Sequence, residues 1–275
     1  MLGIVVQPSM TISIGIVCGA SMIKVLCAMA AVVAMTTTLS AADLAVFSGG
    51  APEAALRTLG PQFEKSSGHK VTFTFAIVTA LQKRLIAGEK ADLIFLPVPL
   101  IAEVEKAVPM RKEGRGPLAR VGLAVVVREG TPVPDVSTTD SLKKVLLAAK
   151  SIALSEASTP GGSYVLRMLQ KMGIADELKG RLVMRGAING GGDLIAKGEA
   201  DVGLYLMSEM RAVRGVVVAG LLPPELRFFV GYGTAIPASN SQPEPALALI
   251  KFLTSTEQAP QWRQAGFELG GPLGK

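Results

Sequence analysis

The chain has 275 residues, 49% of them apolar, and its 28 lysines and arginines exceed its 22 acids to give a net charge of +6. That length fits one large domain or two modest ones. The basic excess is mild and spread along the chain, with no Lys/Arg block and no aromatic interleaving, which argues against a nucleic-acid partner.

Residues 1–42 are expected to be a leader rather than part of the fold. No charged residue precedes Lys24, and no acid precedes Asp43. Lys24, the apolar run over 25–35 and the small residues Ser40-Ala41-Ala42 follow the order of a Sec-type signal peptide. It would begin at Met22, with residues 1–21 an over-extended start, and would be cleaved before Asp43. The apolar run is shorter than the roughly 20 residues needed to span a bilayer. Both cysteines, Cys18 and Cys27, fall in this leader. The exported, periplasmic chain is therefore expected to lack disulfides and to depend on its core.

From Asp43 the pattern alternates strand and helix. Residues 44–47 read as a strand, and a helix follows with Pro52 in its first turn, where a missing N–H is harmless. Leu56, Leu59 and Phe63 recur at helical spacing, and Pro61 is expected to kink or end that helix. A strand is expected over 69–76, a helix over 79–88 closed by Gly88, and a strand over 91–97. This is a βαβαβ run, the signature of a parallel sheet flanked by helices. A very apolar strand covers 120–130, and a helix over 139–150 has Asp140 as its expected N-cap. Residues 151–173 repeat the opening design: strand, Ser/Thr/Pro/Gly turn, then a helix starting near Gly162. Residues 189–210 do so again, with a glycine-rich helix start and a strand at 202–206. One long strand or a strand pair is expected over 226–239, and two short helices over 245–253 and 257–265.

Four turns thus lie where strands end and helices begin, at 48–52, 76–79, 158–163 and 189–192. Ligands of open α/β sheets bind beyond the carboxyl ends of strands. Helix N-termini offer unpaired amides and the positive end of a dipole. Four such turns converging would form an uncharged cage for a small anion. No catalytic residue, cofactor or metal site is indicated. His69, the one histidine, reads as an exposed loop residue, and Asp92 and Glu53 as lone structural acids. Gly190-Gly191-Gly192 lacks the spacing of a dinucleotide fingerprint. Arg185 reads as a surface residue ahead of the last turn. Tyr164, Tyr205 and Tyr232 suit a cleft and a packed interior equally well.

The stretches "VFSGGAPEAALRTLGPQFEKSSGHKV", "LIAGEKADLIF", "TPGGSYVLRMLQKMG" and "KGEADVGLYLMSE" resemble the periplasmic molybdate-binding proteins. Those are solute receptors of ABC importers with the type II periplasmic-binding fold. The likeness runs from about Asp43 to Leu269. It implies an α/β, two-lobed molecule, each lobe a mainly parallel sheet flanked by helices. Lobe one would comprise 43–120 and 231–275, and lobe two 121–230. Hinges would lie near 118–123 and 228–233. The implied partners are a small anionic ligand and a membrane permease, with the receptor a monomer. The family's hydroxyl ligands match Ala51, Val78 and Leu206 here, so all three hydroxyls are missing. Its two backbone-amide positions match Gly161 and Ile188. The expected ligand-binding set is Ser48, Gly49, Gly50, Ala51, Ile77, Val78, Thr79, Gly161, Gly162, Ser163, Ile188, Asn189 and Tyr205. Lost hydrogen bonds to a charged group are worth about 1.5–3 kcal/mol each, which puts molybdate itself in question. The alternative function is an exported isomerase of a small tricarboxylate such as aconitate on the same fold.

Overall fold

The computed structural model describes residues 41–269. The expected signal peptide and its two cysteines lie outside the described residues.

The first part of the chain runs β1 (Asp43–Gly49), α1 (Glu53–Ser67), β2 (Lys70–Ala76), α2 (Val78–Ile86), β3 (Leu93–Pro97) and α3 (Val98–Glu105). β1 pairs in parallel with both β2 and β3, as the βαβαβ reading requires. α1 buries Ala55, Leu56, Leu59, Gly60 and Phe63 and runs through Pro61 without ending. The expectation of an early stop is corrected. Pro61 and Arg57 are both exposed, so the carbonyl freed by the missing N–H faces water instead of an apolar core. Gly60 is where Phe73 packs closest, for a Cβ there would lie 2.7 Å from the Phe73 ring.

The chain continues through β4 (Gly116–Arg128), α4 (Thr139–Ala148), β5 (Ile152–Leu154), α5 (Pro160–Lys171), α6 (Ala175–Leu178), β6 (Leu182–Met184), α7 (Gly191–Ala196), β7 (Val202–Leu206), α8 (Met207–Arg211) and β8 (Val216–Leu221). It closes with β9 (Phe229–Ala235), α9 (Pro243–Leu253), α10 (Ala259–Gln264) and β10 (Phe267–Leu269). Residues 226–239 therefore contribute one strand. α4 is capped by Thr138, whose side chain accepts from the Ser141 amide while Ser141 reciprocates. This replaces the expected Asp140 cap. Asp140 sits instead in the first turn, where its charge suits the helix dipole.

The strands follow the order β2-β1-β3-β9-β4-β7-β5-β6, with β8 and β10 each added to β4. β4 belongs to two neighbourhoods. Its residues up to Gly122 pair with β9, and from Leu123 onward they pair with β7. At the change of partner the backbone is crowded, since a Cβ on Gly122 would meet Leu221 at 2.6 Å and Phe229 at 3.3 Å. We call the β1–β3 and β9 side the first half and the β5–β8 side the second. Val121 and Leu123 through Val127 are buried, which explains the unbroken apolar run in that strand.

His69 is corrected from exposed loop to buried: it is 5% exposed, and its Nδ1 accepts from the Ala42 amide at 3.2 Å. Asp92 is structural, its Oδ2 accepting from the Ala45 amide at 2.8 Å.

Candidate functional site

A cavity of about 40 Å³ lies where the strand ends of the two halves meet. One water needs roughly 10–15 Å³ of such space, so the cavity has room for about three waters or one small charged group. The first half lines it with Gly50 from the β1–α1 turn, Ala76, Ile77 and Val78 from the β2–α2 turn, and Pro97, Val230 and Tyr232 from β3 and β9. The second half supplies Ser155 through Gly161 in part, Gly186 to Ile188, Leu206 and Glu209. The two halves come close at Gly50, where a Cβ would lie 3.5 Å from Ile188 and 3.9 Å from a Glu209 oxygen.

The local sequence explains why amides gather here. Thr159 caps α5 by accepting the Gly162 amide at 3.1 Å, so the next free donor of that helix start is Gly161. α2 begins at Val78 directly after β2, with Ile77 in extended conformation as its N-cap. Among the described residues, the amides of Ala51, Val78, Gly161 and Ile188 have no intramolecular acceptor. Three of those four residues line the cavity. Helix starts leave such donors unsatisfied, and an anion is their natural complement.

Of the residues expected from sequence, Gly50, Ile77, Val78, Gly161 and Ile188 line the cavity. The others stand behind or beside it. Ser48 is buried and donates to the Gly49 carbonyl at 2.9 Å. Gly49 is pressed against Val78 and Tyr232, with no room for a Cβ. Ala51 is buried behind the turn. Gly162 packs on the carbonyls of Ser155 and Glu156, and Ser163 donates to the Pro160 carbonyl at 3.2 Å. Thr79 is off the lining, and Asn189 is exposed. Tyr205 faces the other side of β7: it is fully buried and donates to the Arg185 carbonyl at 2.8 Å. Strand alternation accounts for this, because its neighbour Leu206 takes the cavity side. Tyr232 is the tyrosine at the cavity, and Tyr164 stacks on Phe228 at 4.2 Å between centroids.

Sequence reasoning passed over two carboxyls, Glu156 and Glu209, both on the cavity wall. Glu156 lies in the β5–α5 turn, and its Oε1 accepts the Gly186 amide at 2.9 Å. Its Oε2 is buried without a hydrogen-bond partner, as is the Oε2 of Glu209. Burial pushes the Glu209 carboxyl up to about 7; the Leu206 backbone opposes this shift, and the charge of Glu156 adds to it. Burial, then the charge of Glu209, also raises the Tyr232 phenol well above its ordinary range. A signal for both acids was present: each follows the carboxyl end of a strand, β5 or β7, where α/β sheets place their ligands. Among the described residues no group of three or more His, Cys, Asp or Glu is arranged to hold a metal.

Strand order, a β4 shared between two halves and a ligand-sized cavity at the strand ends define a type II periplasmic-binding fold. Residues 44–268 match the family model described as bacterial extracellular solute-binding protein, and the chain belongs to that family. It is 29% identical over 253 residues to the aconitate isomerase of a Pseudomonas species, covering 88% of this chain and 95% of that protein. It is 26% identical over 232 residues to the molybdate-binding protein ModA of Escherichia coli K12, covering 82% and 89%. The periplasmic molybdate-binding protein of Azotobacter vinelandii superposes with a TM-score of 0.70 at 18% identity, over 83% of this chain and all of that one.

Proposed function

We propose that the protein is a periplasmic receptor that binds one small anion in the cavity and delivers it to an ABC-transporter permease. The observation that carries this reading is the set of amides on Val78, Gly161 and Ile188, which line one cavity and lack an internal acceptor. In this reading the lobes are 43–120 with 231–275, and 121–230. They close by bending near 118–123 and 228–233, and the change of β4's partner after Gly122 supports a bend there. The family match supports solute binding, and the likeness to a molybdate-binding protein supports a small anion. The ligand is a molybdate- or tungstate-like oxyanion or a small organic acid. A thermal-shift screen against molybdate, tungstate, sulfate, phosphate and di- and tricarboxylates tests the proposal. At least one anion is expected to raise Tm, and a flat response to all of them would sink it.

A second reading, isomerisation of a small tricarboxylate such as aconitate, has one observation in its favour. Glu209 places a carboxyl that titrates at about 7 on the cavity wall, where an acid–base group would act. The Pseudomonas aconitate isomerase supports it as a relative. Incubation with cis-aconitate followed by proton NMR decides: appearance of the trans isomer would replace the receptor reading with this one.

A further inference from the structure

We infer that the Glu156–Glu209 wall makes the cavity a site for one carboxylate group of a weak acid, a di- or tricarboxylate, bound together with one proton. The inference rests on the receptor reading and specifies its ligand class.

A purely anion-binding cage would present only donors. This one presents donors from the helix starts on both halves and, beside those of Gly161 and Ile188, two carboxyls whose Oε2 atoms are buried and unpartnered. Glu156 has its Oε1 engaged by the Gly186 amide, and a Cβ on Gly186 would sit 2.8 Å from the Glu156 carboxylate. That glycine therefore leaves just enough space for the acid to stand at the wall. A bare anion brought against two ionised carboxylates in a small, poorly hydrated space meets like charge on one side. One proton relieves the conflict, whether it arrives on the ligand or on Glu209. It is then shared as O–H···O between a Glu209 oxygen and a ligand oxygen, and no covalent bond forms. Sharing is favourable when the two oxygens have similar basicity, which holds for carboxylates against carboxyls and fails for sulfate, the anion of a strong acid.

Among the described residues no cation is placed against Glu209 to do the same work. The groups facing Glu209 are Glu156 from the β5–α5 turn, Tyr232 from β9 and Tyr205 from β7. Arg185 acts on Tyr205. On α1, Glu53 is paired with Arg57 at 2.7 Å, and on β4, Arg120 is paired with Glu268 at 2.6 Å. β8 carries no titratable residue, and Arg211 on the same helix as Glu209 is tied to the carbonyls of Arg263 and Gln264. Since the free Glu209 carboxyl titrates at about 7, a ligand that holds its proton raises it further. Binding then takes up a proton at alkaline pH.

Calorimetry tests this on the purified protein with succinate, citrate, sulfate and molybdate. Titrations at pH 6, 7 and 8.5 in two buffers of different ionisation heat count the protons taken up. Succinate or citrate is expected to bind with close to one proton taken up at pH 8.5. Its affinity should fall roughly tenfold per pH unit above 7, with sulfate at least about a hundredfold weaker. Glu209→Gln should abolish the uptake and flatten the pH profile, and Glu156→Gln should reduce the carboxylate preference. The wild-type proton count stands even where a variant fails to fold. A carboxylate that binds without proton uptake, or sulfate that binds as tightly, overturns the inference and leaves the receptor reading in place. Silence from every anion at every pH overturns both.

Discussion

The two walls of the cavity are built from the same local device and end with opposite characters. On the first half, the β1–α1 and β2–α2 turns present Gly50, Ile77 and Val78, all uncharged. On the second half, the β5–α5 turn and the start of α8 present Glu156 and Glu209 beside Gly161 and Ile188. A strand that runs into a helix start yields unpaired amides in both cases, because backbone geometry alone leaves them. What differs is the side chain that follows. The first wall is suited to holding a negative group by dipoles, and the second adds oxygens that need a donor. On the reading proposed above, the amides set the preference for an anion and the carboxyls set which anion.

The sharpest way to break this contrast is to close the first wall. Gly50 needs no unusual backbone angle, so alanine should be accepted there, its Cβ lying 3.5 Å or more from its neighbours. Gly50→Val extends two methyls toward Ile188 and Glu209 and should weaken ligand binding by about a hundredfold or more, read by calorimetry. Normal binding by this variant would show that the β1–α1 turn is only a connection.

The second wall is tested through stability. Folding lifts the Glu209 carboxyl from its ordinary 4.5 to about 7. The native chain thus keeps a proton that the unfolded chain releases, so the associated stability is complete below pH 4.5 and is lost as pH rises through 7. Glu209→Gln removes this dependence. Urea unfolding should show it about 3 kcal/mol more stable than wild type at pH 8 and unchanged at pH 4.5. Equal stabilities at pH 8 would mean that the carboxyl is solvated and the second wall ordinary.

A smaller change sharpens the difference from the other direction. Val78 lines the first wall, and the resemblance to the molybdate-binding family leads to the expectation of a hydroxyl at its position. Val78→Ser should raise affinity for molybdate about tenfold, equivalent to about 1.4 kcal/mol, with little effect on a carboxylate. An unchanged molybdate affinity would place the anion away from α2. Smallest of all, Thr159→Ala removes the cap that consumes the Gly162 amide and should cost about 1 kcal/mol in thermal unfolding. A loss near zero would mean that water replaces the cap.

The strand–helix alternation from Asp43 to Gly88, the apolar β4 and the glycine-rich helix starts were legible in the chain, because hydrophobic period and turn residues are local properties. The same locality shows where the reading stopped. Pro61 looks like a helix end until its exposed side is known, and His69 looks like a loop residue until the Ala42 amide is found against it. Tyr205 and Leu206 differ by one position on a strand, and only the pairing of β7 with β4 and β5 decides which of them turns toward the cavity. Glu156 and Glu209 are 53 residues apart in the chain. Each alone is an unremarked acid; they become one wall when β5 and β7 lie side by side and burial removes the water from their oxygens. The sequence by itself determined the family's layered architecture and the donors that favour an anion, since both follow from local pattern and backbone. The tertiary structure decided the face each side chain takes and the proton balance of the cavity, because burial and like-charge proximity exist only once distant segments meet.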